Sequence, residues 1–302
     1  MSPNKTENIK KPFFSSDTVF AYFCVIPAIL VLGIFIIYPI IQVFGMSMFK
    51  TNMVGDLVRF VGLDNYTKLF ASKRFISVIV RTVLWTTLAV SIKIVIGLMI
   101  GLALNQKFKL RKIIRGLIIL PWATAMPISV MLWRWTLNDE YGLLNYTLKA
   151  IGISSDPPIW LARPLTAFIS TLTVDIWLGL PFLGLVFLAG LQSISLDLYE
   201  AAKIDGASAF RQFYHITLPG LRKILMIVML LSFFWTFNDF VSIFILTNGG
   251  PAGSTEILVT HLYRYGFDFY KWGAASAMAV ITFIILSLIS LIYVFLYKKY
   301  EA

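Results

Sequence analysis

Cysteine and histidine are almost absent: one cysteine, Cys24, and two histidines, His215 and His261, in 302 residues. One thiol excludes a disulfide framework and a cysteine-based metal site. Two distant imidazoles exclude most histidine-based metal chemistry. Charge is also scarce, at 14% of residues against 58% hydrophobic. That apolar share is too high for a disordered chain and for the water-facing surface of a soluble domain. The few charges are unbalanced, with 26 Lys and Arg against 15 Asp and Glu. A basic balance can mark a nucleic-acid binder, but such proteins carry far more charge, so no nucleic acid is expected. Basic residues in short loops between membrane spans account for the balance instead. Enzyme signatures are missing as well. There is no Gly-x-Ser-x-Gly, no His-Glu-x-x-His and no Gly-x-x-x-x-Gly-Lys-Ser/Thr. No catalytic residue and no metal site are expected, and any ATP hydrolysis must fall to another chain.

What the chain does have is long uncharged runs. Thr18 to Phe49, Gly116 to Trp133 and Trp272 to Tyr297 carry no charge. Thr82 to Gln106 is broken only by Lys93, Pro164 to Leu196 only by Asp175, and Ile224 to Thr255 only by Asp239. A spanning helix needs about 20 apolar residues, and the runs lack the period-2 alternation of a membrane barrel. The expectation is an all-α membrane protein of six helices. Lys5, Lys10 and Lys11 precede the first run, as in a secretory signal, but the run is too long for one and reads as a retained helix. Pro27 and Pro39 within it predict kinks.

Six spans put both termini on one side. Fourteen basic residues fall on that side, including Lys107, Lys109, Arg111, Lys112 and Arg115, and nine fall on the other over longer loops. The bias predicts cytoplasmic termini, although the first external loop is itself basic. The organisation read from this is a cytoplasmic tail over 1–17, one membrane domain over 18–297 and a cytoplasmic tail over 298–302. No internal repeat of solenoid length is visible.

The cytoplasmic stretch 196–219 has its own grammar. Asp197 and Glu200 have the spacing of a capping box, and Ala201 and Ala202 favour helix. Gly206 can take the positive φ that ends a helix. Ser208 can cap a second helix carrying Phe210, Phe213 and Tyr214, which Pro219 ends. Two short helices joined at Gly206, with aromatics presented to the cytoplasm, are expected.

Glu200-Ala201-Ala202, Asp205-Gly206-Ala207 and Ile216-Thr217-Leu218-Pro219 resemble, in spacing and order, the EAA loop of permease subunits of binding-protein-dependent ABC importers. Further stretches resemble the carbohydrate branch, close to the larger maltose-type subunit: Phe60 to Tyr66, Leu120-Pro121-Trp122, Trp133-Arg134, Gly142 to Asn145 and Leu246 to Pro251. The large external insertion of the enterobacterial maltose subunit is missing. The resemblance covers nearly the whole chain. It implies a type I ABC importer permease fold in a prokaryotic cytoplasmic membrane, working by alternating access. It also implies a second, homologous permease subunit as heterodimer partner, two ATPase subunits carrying ATP and Mg, an extracytoplasmic solute-binding protein and surrounding membrane lipid. ATPase coupling is implied for Glu200, Ala201, Ala202, Asp205, Gly206, Ala207, Phe210, Leu218 and Pro219.

Polar groups inside spans usually face a cavity or a partner helix. By position, the resemblance implies a solute pathway lined by Trp122 and Met126, by Asp175, Leu178, Gly179 and Phe182, and by Ser232, Thr236 and Asp239. The last three have the i, i+4, i+7 spacing of one helix face. Carboxylates and aromatic faces suit a polyol, so a sugar or oligosaccharide is expected, with glycerol phosphate or a polyamine as alternatives. Asp175, Thr236 and Asp239 replace amides of the maltose permeases, which puts maltose itself in doubt. Two acids in one cavity disfavour an anionic solute unless Arg134 or a partner neutralises them. Lys93 is read as snorkelling or pairing with a neighbouring helix, and Trp235 and Phe237 as packing. An intramembrane acid protease dyad of Asp175 and Asp239 is disfavoured, because the two lie on different spans without the flanking Gly and Tyr pattern of such proteases, and a standalone ion channel built on them leaves the EAA-like loop unexplained.

Overall fold

The computed structural model describes residues 16–301. Lys5, Lys10, Lys11 and most of the expected N-terminal tail lie outside them, as does Ala302. The first span is α1 (Ser16–Leu32) and α2 (Tyr38–Ser47), joined by a π-helical turn at Gly33–Ile37. A short hairpin follows, β1 (Phe49–Thr51) with β2 (Leu57–Phe60). Then come α3 (Asp64–Ala71) and the 33-residue α4 (Lys73–Asn105). The third span is fragmented into α5 (Arg111–Leu117), α6 (Leu120–Ala123) and α7 (Met126–Thr136), and α8 (Leu143–Ala150) lies beyond it. The fourth span is α9 (Pro164–Gln192). Three short helices follow: α10 (Leu196–Ile204), α11 (Ala209–Gln212) and α12 (Leu218–Gly220). The fifth span is α13 (Arg222–Phe237) with α14 (Phe240–Leu246), then α15 (Leu258–Tyr263), and α16 (Trp272–Glu301) is the sixth. Five helical spans are long and apolar enough to cross a membrane, and the bent pair in the third region makes a sixth.

The α4–α9 pair is the spine of the molecule. Gly97 and Gly101 are one turn apart on α4 and face Leu183, Gly184 and Phe187 of α9. A Cβ on Gly97 would stand 2.8 Å from the Leu183 Cβ, and one on Gly101 2.8 Å from the Phe187 Cβ. Small residues at this spacing let two membrane helices approach closely, since lipid offers no hydrophobic drive to associate. By contrast, the most apolar stretch of the first span has no buried residue. Its anchorage is α2 against α16, including Phe44 edge-on to Phe283.

Three local expectations are corrected. The third run is not one helix, because the chain bends by 92° between Ala123 and Met126. Pro127 has no N–H to return to Ala123, and Thr124 is extended, its hydroxyl bonded to the Pro121 carbonyl and to Ser129. At α10 the cap is Ser195, which accepts from the Asp197 N–H, rather than an Asp197–Glu200 box. Pro219 does not end the second short helix. It lies in the first turn of α12, where a missing N–H costs little, after a π turn at Phe213–Thr217. Gly206 does separate the two short helices, at φ 73°, and Ser208 does cap the second.

The loop after α14 is pinned to α4 by a buried charge. Glu256 is 1% exposed in its side chain. Its oxygens lie 3.0 Å from Arg74 Nη2, 3.1 Å from His261 Nδ1 and 3.3 Å from Arg264 Nη1. Its backbone carbonyl accepts from Arg81, and the neighbouring Leu258 N–H donates to Thr82 Oγ1. Arg74 and Arg81 therefore have partners, and α4 starts at Lys73, nine residues before the uncharged run. Burial by itself raises the Glu256 carboxyl, but the hydrogen bond and charge of His261, then those of Arg74, outweigh it and hold the group at about 2. A depressed carboxyl stabilises fully above its ordinary value of 4.5, and the stabilisation is lost as pH falls toward 2. Glu256→Gln should thus unfold at lower temperature than wild type at neutral pH. The gap should shrink between about pH 5 and pH 2; a constant gap in detergent melts would place the stabilisation elsewhere.

Candidate functional site

A cavity of about 600 Å³ opens where the break in the third span, the middle of α9 and a break in the fifth span meet. Irregular backbone is tolerated at membrane depth only where it lines a cavity or is buried in protein, and both breaks border this cavity. Trp122 and Met126 flank the first break and line the cavity. Asp175, Leu178, Gly179 and Phe182 reach it from successive turns of α9. Asp239 reaches it from the second break.

The expected single face of Ser232, Thr236 and Asp239 does not exist. Helix α13 stops at Phe237, and Asp239 is the N-cap of α14, its Oδ1 accepting from the Ser242 N–H at 3.0 Å. Asn238 and Asp239 supply the reason, because both side chains bond nearby backbone in place of the helical ladder; Asn238 Nδ2 donates to the Phe234 carbonyl. Ser232 and Thr236 are buried and do not line the cavity.

Lys93 is the residue that sequence reasoning left without a role. It projects from the middle of α4 and is 4% exposed. Its Nζ lies 2.8 Å from both carboxylate oxygens of Asp175 and donates to Thr236 Oγ1, also at 2.8 Å. Nζ donates hydrogen bonds to Asp175 Oδ1 and Thr236 Oγ1, while Asp175 Oδ2 is held by charge alone and makes no hydrogen bond among the described residues. Gly179 makes room for its stem, since a Cβ there would meet Lys93 Cε at 3.1 Å. The signal was available: one cation and two acids in otherwise uncharged spans invite pairing. Asp175 is therefore neutralised within the chain, and the cavity does not carry two free acids. Arg134 is not the neutraliser; it lies in a separate hollow with Asn138 and Asp139. The Asp239 Oδ2 has no hydrogen-bond partner among the described residues. Asp175 and Asp239 each have their own partner, which a proton-sharing acid dyad would not. Among the described residues no cluster of His, Cys, Asp and Glu has the geometry to hold a metal.

The aromatic wall is continuous. The Trp122 ring stacks on Phe182 with centroids 5.8 Å apart, and Trp235 meets Phe182 edge-on at 5.1 Å. Trp235, read from sequence as packing, lines the cavity, while Phe237 lies in the core with Phe75 and Leu258.

The short helices α10 to α12 form a second feature. Glu200, Ala201, Asp205, Gly206, Phe210 and Pro219 are exposed, and Ala202, Ala207 and Leu218 are half-buried. Phe210 is 79% exposed and Tyr214 58%; Phe213 is half-buried. The knob is braced from within by the Tyr199–Thr217 hydroxyl contact and by Gln212 donating to the Ala207 carbonyl. Glu200 has no hydrogen bond or ion pair among the described residues.

Residues 93–301 match the family described as the binding-protein-dependent transport system inner membrane component. The chain is 38% identical over 273 residues, 90% of its length and 94% of the relative's, to a probable ABC transporter permease protein of Brucella suis. It is 34% identical over 293 residues, 97% of each chain, to the trehalose/maltose transport system permease protein of Thermococcus litoralis. Its fold is similar to a chain of a bacterial ABC transporter involved in the import of the acidic polysaccharide alginate, with a TM-score of 0.83, 23% identity and coverage of 94% and 96%.

The ion pair makes a direct prediction. Lys93→Met leaves a buried carboxylate unpaired and should destabilise the chain by about 3–5 kcal/mol. The double variant Lys93→Met/Asp175→Leu should recover most of that loss. Thermal unfolding of the four chains of this cycle in detergent measures the coupling, and additive losses would mean that the two groups do not depend on each other.

Proposed function

The chain belongs to the family of inner-membrane components of binding-protein-dependent transport systems, and from that footing we propose that it is one permease subunit of an ATP-driven sugar importer. The observation that carries the sugar reading is the cavity, which sets the joined faces of Trp122, Phe182 and Trp235 beside an Asp239 oxygen with no partner of its own. Aromatic faces stack on the apolar C–H side of a sugar ring, and a carboxylate accepts hydrogen bonds from hydroxyl pairs. The sugar named for the Thermococcus litoralis relative supports the same class. A polyamine, which two free acids would suit, is less well served once Lys93 occupies Asp175. Asp239 alone still disfavours a small anion such as glycerol phosphate.

Assembly follows from what the chain leaves uncovered. The first span needs lipid or a second, homologous permease along its unburied face. The knob of α10 to α12 presents Phe210 and the unpaired Glu200 to an ATPase subunit, one of two that carry ATP and Mg. In this reading Glu200, Ala201 and Ala202 form the lever, Asp205, Gly206 and Ala207 its elbow, and Leu218 and Pro219 its root on the fifth span. An external binding protein delivers solute from the opposite face. The basic residues of the 107–115 loop support a cytoplasmic side for the knob and both termini.

Two variants test this reading in vesicles holding the full complex and its binding protein. Asp239→Asn should keep assembly and raise the half-saturating sugar concentration about tenfold, the value of a hydrogen bond to a charged group. Unchanged uptake kinetics would remove Asp239 from the site. In Gly206→Pro, a ring locked near φ −65° replaces a residue at φ 73°. Insertion should be normal, while ATP-driven uptake falls at least about tenfold as the lever loses its elbow. Full transport would count against coupling through this loop.

A further inference from the structure

The basic first external loop, at odds with the charge bias that orients the chain, has no part in the solute cavity. It closes around a hollow of about 460 Å³ between the β1–β2 hairpin, α3 and the start of α16. Lys50, Arg59, Lys68 and Lys271 line it, against a single acid, Asp64. That acid is already used by Lys68 Nζ at 2.6 Å. Lys50 and Arg59 are direct partners across the hairpin, a like-charge opposition that weakens an antiparallel pair. Neither has an ion pair among the described residues. Among the described residues the Lys271 ammonium has only the face of Tyr265, 5.8 Å away. Three uncompensated cations thus share one concave site, which is the electrostatic requirement for an anion.

The position of the hollow says which anion. Its hairpin begins two residues after the first span ends, and α16 begins at Trp272, whose indole donates to the Met53 carbonyl. Tyr265, Tyr270 and Trp272 are the residue types that settle at a membrane–water boundary. The surrounding surface is apolar and exposed, with Met53 at 76%, Val54 at 84% and Phe60 at 63%. Further along the same two spans, between α2 and α16, runs an apolar groove of about 280 Å³ floored by Val43, Phe44, Ala279 and Phe283. Ala279 is seven residues into α16, so the groove lies about 10 Å deeper along the helix. A charged hollow at the boundary with an apolar groove beneath it has the shape of a phospholipid: phosphate above, acyl chain below. An acidic protein surface would meet the cations but leave the groove without purpose.

We propose that this site binds an anionic phospholipid of the outer leaflet, with its phosphate held by Lys50, Arg59 and Lys271 and one acyl chain along the α2–α16 groove. The test uses the assembled transporter in nanodiscs of phosphatidylcholine mixed with phosphatidylglycerol, with retained lipid counted by native mass spectrometry after stripping. Wild type should retain phosphatidylglycerol preferentially, and the preference should fall about fivefold for each charge removed in Lys50→Gln, Arg59→Gln and Lys271→Gln. Lys50→Arg should keep the preference, and Ala279→Trp, which fills the groove without touching a charge, should lower it. Inorganic phosphate should not replace the lipid; if millimolar phosphate abolishes the preference, the hollow takes a free anion and the proposal fails. It also fails if the charge variants retain lipid like wild type while binding-protein affinity drops, because the cations then serve a protein contact.

Discussion

The ion pair between Lys93 and Asp175 is the interaction around which the membrane core is arranged. A lone ammonium or carboxylate at membrane depth is expensive, and the two offset each other only if three helices are held in fixed relation. Lys93 leaves α4, Asp175 leaves α9 and Thr236 leaves α13, and all three converge within 2.8 Å of one nitrogen. Gly97, Gly101 and Gly184 bring α4 and α9 close enough for that reach, and Gly179 clears a path for the lysine stem. Packing and electrostatics therefore specify the same geometry. Loosening the glycine contact would separate the charges, and removing a charge would leave its partner buried alone.

The cavity exists because two spans fail to be continuous. Pro127 and Thr124 break one, and Asn238 and Asp239 break the other. Side chains beside each break bond the local backbone, the Thr124 hydroxyl donating to the Pro121 carbonyl and Asp239 accepting from the Ser242 N–H, and the hollow between the breaks is lined mainly by apolar groups with Asp175 and Asp239 set among them. Asp239 has two tasks there. One oxygen caps α14 and the other is left without a partner, which places a carboxylate in the wall while fixing its orientation.

Much of this was legible from residue order. Charge-free runs located the spans, Gly206 and Ser208 marked the elbow of the 196–219 loop, and the carbohydrate-branch stretches resembled the family to which the chain belongs. What escaped was whatever depends on which helix faces which. For Lys93 the order of residues left snorkelling and pairing with a neighbouring helix both open, because its partner is 82 positions away. The helix face drawn through Ser232, Thr236 and Asp239 assumed continuity that the Asn-Asp pair abolishes. Glu256 sat in a stretch that reads as an ordinary loop, and nothing local shows that Arg74, Arg264 and His261 gather around it. The hairpin strands, of three and four residues, are too short for an alternating pattern to register.

The contact between α2 and α16 joins the first span to the last, and this has a consequence in time. The chain from Ser47 to Trp272 must be synthesised between the arrival of one partner and the other, roughly ten to fifty seconds at ribosomal speeds. Throughout that interval the first span waits in the bilayer without α16, held only at its end by Asn65 and Tyr66 on Ser47. The uncharged, unburied stretch that makes up most of it suits it to that wait, because lipid can solvate that stretch on every side. The bond from Trp272 to the hairpin, and the closing of the basic hollow beside it, are then among the last events in the making of the molecule.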